Sequence, residues 1–160
     1  MRFSVVGAGA IGGLMAARLS AAGHPVHVIA RGSTLEAIMS DGLTVTSADG
    51  SPAVKTAVSA SNDFSAAAGC DAVILAVKAH QIIDIADEIP KLYGPDTIVI
   101  PVQNGIPWWF FQRFGGPRDG HRLATLDNGA IARAIPPDRI VATVAYPAAE
   151  RRGDAHAGDY

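Results

Sequence analysis

MRFSVVGAGAIGGLMAARLSAAGHPVHVIAR, residues 1–31, decides the fold. Residues 1–6 are a short apolar run, and Gly7-Ala8-Gly9-Ala10-Ile11-Gly12-Gly13 follows at once. A run rich in Ala and Leu continues to Ala22, and Pro25 to Ala30 is apolar again. The order is strand, glycine turn, amphipathic helix, strand, with G-x-G-x-x-G at Gly7, Gly9 and Gly12. Each glycine has a mechanical task. Gly7 allows the tight turn, Gly9 lets the backbone approach a pyrophosphate, and Gly12 lets the helix pack against the strand. The helix start then offers free N–H groups and a positive dipole end to phosphates. The second strand ends at Arg31, where an NAD site usually carries Asp or Glu. A guanidinium there, beside Ser33 and Thr34, pairs with a 2′-phosphate instead and favours NADP.

Outward from this unit, a helix is predicted over Ser33 to Ser40, with Ser33 and Glu36 at capping-box spacing. Leu43 to Ser47 and Pro52 to Val58 read as two strands joined around Ala48-Asp49-Gly50-Ser51. Ser59 to Gly69 reads as a loop or weak helix. Asp71 to Val77, DAVILAV, is an unbroken apolar run of the kind a central parallel strand needs. Lys78 follows at its carboxyl end. Ala79 to Ile89 is predicted as an amphipathic helix stopped by Pro90. Thr97 to Val102 is the next parallel strand and leads into Gln103-Asn104-Gly105. A short helix is expected near Gly129 to Ile135, and a last strand over Ile140 to Ala145. Arg151 to Tyr160 is polar and aperiodic and is expected to fray. Recurring βα units give the fold class: α/β, a Rossmann-like, doubly wound, mostly parallel sheet with helices on both faces.

With 49% apolar and 18% charged residues, the 160-residue chain is globular, and one domain of ordinary size is expected. The net charge of −2 comes without a basic block, so neither nucleic acid nor a membrane surface is an expected partner. No apolar run is long enough to span a bilayer. No leader is visible ahead of the first strand, and a cytoplasmic location is the default. A single cysteine, Cys70, rules out an intrachain disulfide, and the five histidines have no metal-ligand spacing, so no metal is expected.

In open α/β sheets, ligands bind beyond the carboxyl ends of the strands. The glycine turn, Arg31, Lys78 and Asn104 all fall on that edge. Lys78 could hold a phosphate, a carboxylate or a carbonyl oxygen. Trp108, Trp109, Phe110, Phe111 and Phe114 form an aromatic run too dense for one helix face. It reads either as core packing or as a surface for a second domain or subunit.

Taken together, GAGAIGG at Gly7 to Gly13, Arg31-Gly32, VKAHQ at Val77 to Gln81 and QNG at Gln103 to Gly105 resemble the N-terminal domain of the ketopantoate reductase (2-dehydropantoate 2-reductase) family. NGIPWWFF and YPAAE at Tyr146 to Glu150 are similar to a subgroup of it. The resemblance spans residues 1–150, read as one NADP-binding domain, with 151–160 as a polar tail. It implies NADPH-dependent reduction of a 2-oxo acid to a 2-hydroxy acid in pantothenate and coenzyme A synthesis. By that resemblance, Gly7, Ala8, Gly9, Ala10, Ile11 and Gly12 hold the pyrophosphate and Arg31 the 2′-phosphate of NADP(H). Lys78 and Gln81 line the cofactor or substrate cleft. Asn104 sits near the nicotinamide and the substrate, so Asn104 and Lys78 are the supporting catalytic candidates. Glu150 matches a cofactor-contacting position less closely.

The family also has a helical C-terminal domain with the lysine taken as proton donor, and nothing in these 160 residues matches it. The expectation is a chain that binds NADP(H) and turns over little. Uncovered aromatics at Trp108, Trp109, Phe110 and Phe111 would then favour self-association. Two other readings fit parts of the pattern. One is a stand-alone NADP-binding sensor without redox chemistry. The other is a sheet binding S-adenosylmethionine, disfavoured because Arg31 stands where an acid usually binds a ribose.

Overall fold

A strand buried on both faces must send alternate side chains into two different cores, and this chain does so. In the computed structural model Val5 packs into one apolar cluster and its neighbour Val6 into another. Ile74 joins the first cluster, while Val73 and Leu75 join the second. The structure describes residues 1–160 except Gly50, Pro52, Phe114, Arg122, Ala124, Thr125, Leu126 and Tyr160, with Asp159 described by its backbone. The turn at Gly50, the predicted strand start at Pro52, the aromatic Phe114 and the last residue of the tail therefore lie outside the described residues.

The elements run β1 (Phe3–Val6), α1 (Ala10–Ala21), β2 (Val26–Ile29), α2 (Gly32–Asp41), β3 (Leu43–Thr46), β4 (Val54–Thr56), β5 (Ser59–Ser61), β6 (Cys70–Leu75), α3 (Ile82–Ile85), β7 (Tyr93–Pro101), α4 (Ala130–Ala134), β8 (Ala149–Gly153) and β9 (His156–Asp159). One sheet has the order β5-β2-β1-β6-β7, and every pairing in it is parallel. After β1 the chain builds outward to β2 and β5, then returns to the other side of β1 for β6 and β7. That reversal opens a crevice between the carboxyl ends of β1 and β6, the topological switch point at which such sheets take ligands. The doubly wound α/β expectation holds.

A second sheet, β4-β3-β9-β8, covers α1 from the outside. β9 lies parallel to β3 and antiparallel to β8. The segment expected to fray is thus paired, and Ala157 is buried against α1 and its neighbours. α1 is covered on two sides, which explains why Gly12, Gly13, Leu14, Ala16 and Ala17 are all buried. It is a small-residue helix between two sheets rather than the amphipathic helix the pattern suggested.

Four further expectations change, the first being that Ser59–Ser61, in the segment read as a loop or weak helix, is the edge strand β5, paired in parallel with β2. The helix read over Ala79 to Ile89 is broken into a 3-10 turn (Ala79–Gln81), the single turn α3, and a 3-10 turn at Ile89–Leu92. Its apolar positions are still used, with Ile82, Ala86, Ile89 and Leu92 buried. β-Branched Ile82, Ile83 and Ile85, followed by Pro90, are poor material for a regular helix. Ile140 to Ala145 is not a strand. It runs beside β7 with one bridge, Val99 to Ile140, and Val141 N–H donating to the Val99 carbonyl at 2.9 Å. The next rung would need an N–H from Pro101, which has none. The Thr143 hydroxyl donates to the Pro101 carbonyl instead. Last, α2 begins at Gly32 with Arg31 as its N-cap and no side-chain cap, so Ser33 and Glu36 form no capping box.

The irregular start of β7 is tied down by side chains. The Arg139 guanidinium donates to the carbonyls of Gly94, Pro95 and Thr97 and lies 4.7 Å from the Tyr93 ring centroid. The Tyr93 hydroxyl donates to the Ala134 carbonyl at 3.0 Å, joining β7 to α4. Burial pushes the Tyr93 phenol up to about 12, against the opposing pull of Arg139. The unfolded chain ionises this phenol near pH 10. Its contribution to stability is therefore complete below about pH 10 and is lost as pH rises toward 12. Tyr93→Phe is expected to cost about 1 kcal/mol at neutral pH for the lost hydrogen bond. It should also flatten the fall in stability between about pH 10 and 12. Denaturant unfolding across that range checks this, and an equally steep fall in both proteins would contradict it.

Candidate dinucleotide site at the carboxyl edge

The three motif glycines sit in three different environments. Gly7 has φ +97°, a backbone region that favours glycine, and a methyl group built on it would meet Val77 Cγ1 at 2.8 Å. Its N–H donates to the Ile29 carbonyl at 3.0 Å, holding the turn onto β2. A methyl on Gly12 would lie 1.9 Å from the Gly7 carbonyl oxygen and 3.0 Å from Ala76 Cβ. Close approach of α1 to the β1 turn depends on that missing Cβ. A methyl on Gly9 would meet nothing within 4 Å. Gly9 also has φ −74°, which any residue can adopt. The fold itself does not need glycine there, whereas a phosphate group seated over the turn does.

Gly9 is the N-cap of α1 and supplies no side-chain cap. The first bond of the ladder is Gly13 N–H to the Gly9 carbonyl at 2.8 Å. The N–H groups of Ala10, Ile11 and Gly12 precede it and point out of the helix end. Neither α1 nor α2 has an acidic residue in its first turn. Such a helix end is suited to cradle a phosphate.

Arg31 is exposed where β2 gives way to α2, and its side chain makes no hydrogen bond or ion pair among the described residues. The β8–β9 hairpin reaches the same helix start. Arg151 donates to the Thr34 hydroxyl at 3.0 Å and pairs with Asp154, and Thr34 donates to Asp154 at 3.2 Å. A tail read as frayed contributes a charged pair beside the first turn of α2. No local signal announces it, since Thr34 and Asp154 are 120 positions apart.

On the other side of the crevice, Lys78 leaves β6 in extended conformation and its side chain is exposed. Gln81 turns back, its Oε1 accepting from the Lys78 N–H at 3.1 Å. Gln81 therefore shapes the turn that presents Lys78. Gln103 has a similar task that sequence reading missed. Its Nε2 donates to the carbonyls of Leu75 (2.6 Å) and Val77 (2.8 Å), binding the end of β7 to the end of β6 just before Lys78. An amide directly after an apolar parallel strand was the available signal. Gln103→Leu is expected to lose about 2 kcal/mol of stability, two hydrogen bonds at about 1 kcal/mol each. An unchanged denaturation midpoint would contradict the assignment.

Asn104 is exposed and lines a cleft of ≈ 680 Å³ together with His80, Ile83, Ile106, Trp108 and Trp109. Glu150 lies on β8 in the second sheet and accepts from Arg152 at 2.6 Å. Of the described members of the aromatic run, Trp108 packs on the core and meets Trp109 edge-on at 4.4 Å, while Phe110 is exposed. A second cavity, ≈ 390 Å³ beside Arg2, His24 and Ser59, opens at the amino ends of the strands, away from these groups. Among the described residues there is no cluster of His, Cys, Asp or Glu able to hold a metal ion, and no helix is long and apolar enough to cross a membrane.

The family model described as "Ketopantoate reductase PanE/ApbA" matches residues 3–107. The chain belongs to the ketopantoate reductase family. It is 42% identical over 153 residues to a 2-dehydropantoate 2-reductase of Mesorhizobium japonicum, a match covering 94% of this chain and 46% of that protein. A Nostoc 2-dehydropantoate 2-reductase is 35% identical over 105 residues, covering 66% of this chain and 32% of that one. Among solved structures, a Ralstonia solanacearum MolK2 protein assigned to the ketopantoate reductases superposes with TM-score 0.91 at 40% identity, over 99% of this chain and 49% of that chain. The chain thus spans about half the length, or less, of these relatives, and corresponds to the N-terminal domain of the family.

Proposed function

We propose that this chain is the NADP(H)-holding portion of an NADPH-dependent reductase that converts a 2-oxo acid to a 2-hydroxy acid. For the relatives, that acid is 2-dehydropantoate by name. The observation that carries the reading is the contrast between Gly9 and Gly12. One glycine is needed by the fold, and the other leaves open space beside a helix end rich in free N–H groups. In this reading Ala8 to Gly12 hold the pyrophosphate through backbone N–H groups, and Arg31 pairs with the 2′-phosphate. The bound coenzyme supplies a hydride for the carbonyl carbon. Asn104 holds the carbonyl end of the substrate through its amide, and Lys78 contributes positive charge to the same edge. Gln81 and Gln103 act through Lys78, by fixing the loop that carries it. The proton for the carbonyl oxygen has no assigned donor in this chain, so coenzyme binding without appreciable turnover is the expected behaviour.

Titration calorimetry with NADPH and, separately, NADH tests the reading. NADPH is expected to bind at least tenfold more tightly than NADH. Equal affinities would remove the role given to Arg31, and no binding of either would remove the dinucleotide site.

A further inference from the structure

The β8–β9 hairpin brings a second guanidinium to the helix start that carries Arg31. Successive residues of a strand point to opposite faces. Arg152 turns to Glu150 and to Thr46 of β3, at 2.6 and 3.2 Å. Arg151 turns the other way, to α2, and donates through Nη2 to the Thr34 hydroxyl at 3.0 Å. Its Nε donates to the Gly153 carbonyl at 3.1 Å, and Nη2 also pairs with Asp154. Nη1 has no partner among the described residues, and the side chain is 49% exposed. Thr34 follows the N-cap Arg31 by three positions, so the two guanidiniums flank a single helical turn. That turn has no acidic residue of its own.

A phosphate monoester carries a charge of about −1.5 to −2 at pH 7. Arg31 offsets one unit of it and leaves the rest to its surroundings. We propose that Arg151 is a second ligand of the 2′-phosphate, and that Thr34 and Asp154 are positioning residues that hold its guanidinium against the start of α2. Arg31 reaches the phosphate from the end of β2, and the free Nη1 of Arg151 reaches it from the hairpin. Asp154 is the opposing charge at this place. Its carboxylate takes up part of the charge of Arg151, and solvent screens its repulsion of the phosphate because the pair is exposed. The inference rests on the NADP(H) reading above and adds to it a residue of the second sheet, 117 positions from the threonine that orients it.

Calorimetric titration of the 160-residue chain and of three variants with NADPH and with NADH tests this. NADH lacks the 2′-phosphate and serves as the control ligand for the fold of each variant. Arg151→Gln is expected to weaken NADPH about tenfold and to move NADH less than twofold. Arg151→Lys, which keeps the charge and loses the fork, should recover about half of that loss on a logarithmic scale. Asp154→Asn keeps an acceptor for Thr34 and Arg151 and removes the opposing charge, so NADPH should tighten about threefold while NADH stays the same. A role confined to tying the hairpin to α2 would instead move both coenzymes together in all three variants. Arg151→Gln with its preference for NADPH intact, or with equal losses for the two coenzymes, overturns the inference and leaves the coenzyme reading standing. Equal affinities in the unaltered chain overturn both.

Discussion

Gly12→Ala is expected to destabilise the chain by about 3 kcal/mol or more, and Gly9→Ser is expected to cost none. At Gly12 a single added carbon would lie 1.9 Å from the Gly7 carbonyl oxygen, with Ala76 Cβ at 3.0 Å. The obstacle is backbone, so the helix or the turn must move. α1 cannot move freely, because Gly13 on the same helix faces Ala157 of the second sheet, where a Cβ would already be 3.6 Å away. Overpacking a tight core costs about 1–3 kcal/mol, occasionally more, and a clash with backbone between two sheets belongs at the upper end. Stability of the whole domain is about 5–15 kcal/mol, so the unfolding midpoint should fall far or the chain should fail to fold.

Gly9→Ser acts in the opposite sense. The position has ordinary φ, empty space around it, and stands at a helix N-cap, where a serine hydroxyl can accept from a free N–H of the first turn. Stability should hold or rise by a few tenths of a kcal/mol. The same hydroxyl occupies the space and the donors assigned to the pyrophosphate. NADPH affinity should fall by about 30-fold, roughly 2 kcal/mol. Chemical denaturation and calorimetry on the two variants separate a glycine required by the fold from a glycine required by the ligand. A Gly9→Ser chain that binds NADPH normally would contradict the assignment.

Arg31→Asp should raise the dissociation constant for NADPH about 100-fold and lower that for NADH. Loss of a charge-assisted bond to a phosphate removes about 1.5–3 kcal/mol, and the new carboxylate repels the dianion. Toward NADH the carboxylate gains ribose hydroxyls as partners. The pairing in the original chain is exposed, so NADPH affinity should also weaken as salt is raised, while the variant's NADH affinity should respond little. Calorimetry at low and high salt checks both. Unchanged NADPH binding in the variant would mean that the 2′-phosphate is held elsewhere, the Arg151 side of the hairpin being the nearest alternative.

The coenzyme edge was readable because its signals are local. Strand, glycine turn and helix lie within residues 1–21, and the unbroken apolar DAVILAV run reads as a strand buried on both faces. Gly9 and Gly12 look alike in the motif, and only the packing of α1 separates their tasks. The second sheet was not readable, because β9 finds β3 across more than a hundred residues. RRGDAHAGDY carries no alternation of its own, since its partners are mostly backbone. The helix expected over Ala79 to Ile89 failed for a different reason. Its apolar spacing is that of a helix, but three isoleucines in four positions and Pro90 leave it only one α turn. The bonding role of Gln103 was not readable, because it joins two carbonyls of another segment, a contact that spacing cannot show.

The central claim is that a dinucleotide sits on the carboxyl edge of the parallel sheet, over the start of α1. The most direct measurement is the change in backbone amide NMR signals of the ¹⁵N-labelled chain on addition of saturating NADP⁺. The account predicts the largest shifts at Ala10, Ile11 and Gly12, further shifts at Arg31 and Lys78, and little change at His24, Val26 and Ala67 beside the opposite cavity. Shifts concentrated at that amino-end cavity, or none at the start of α1, would contradict it.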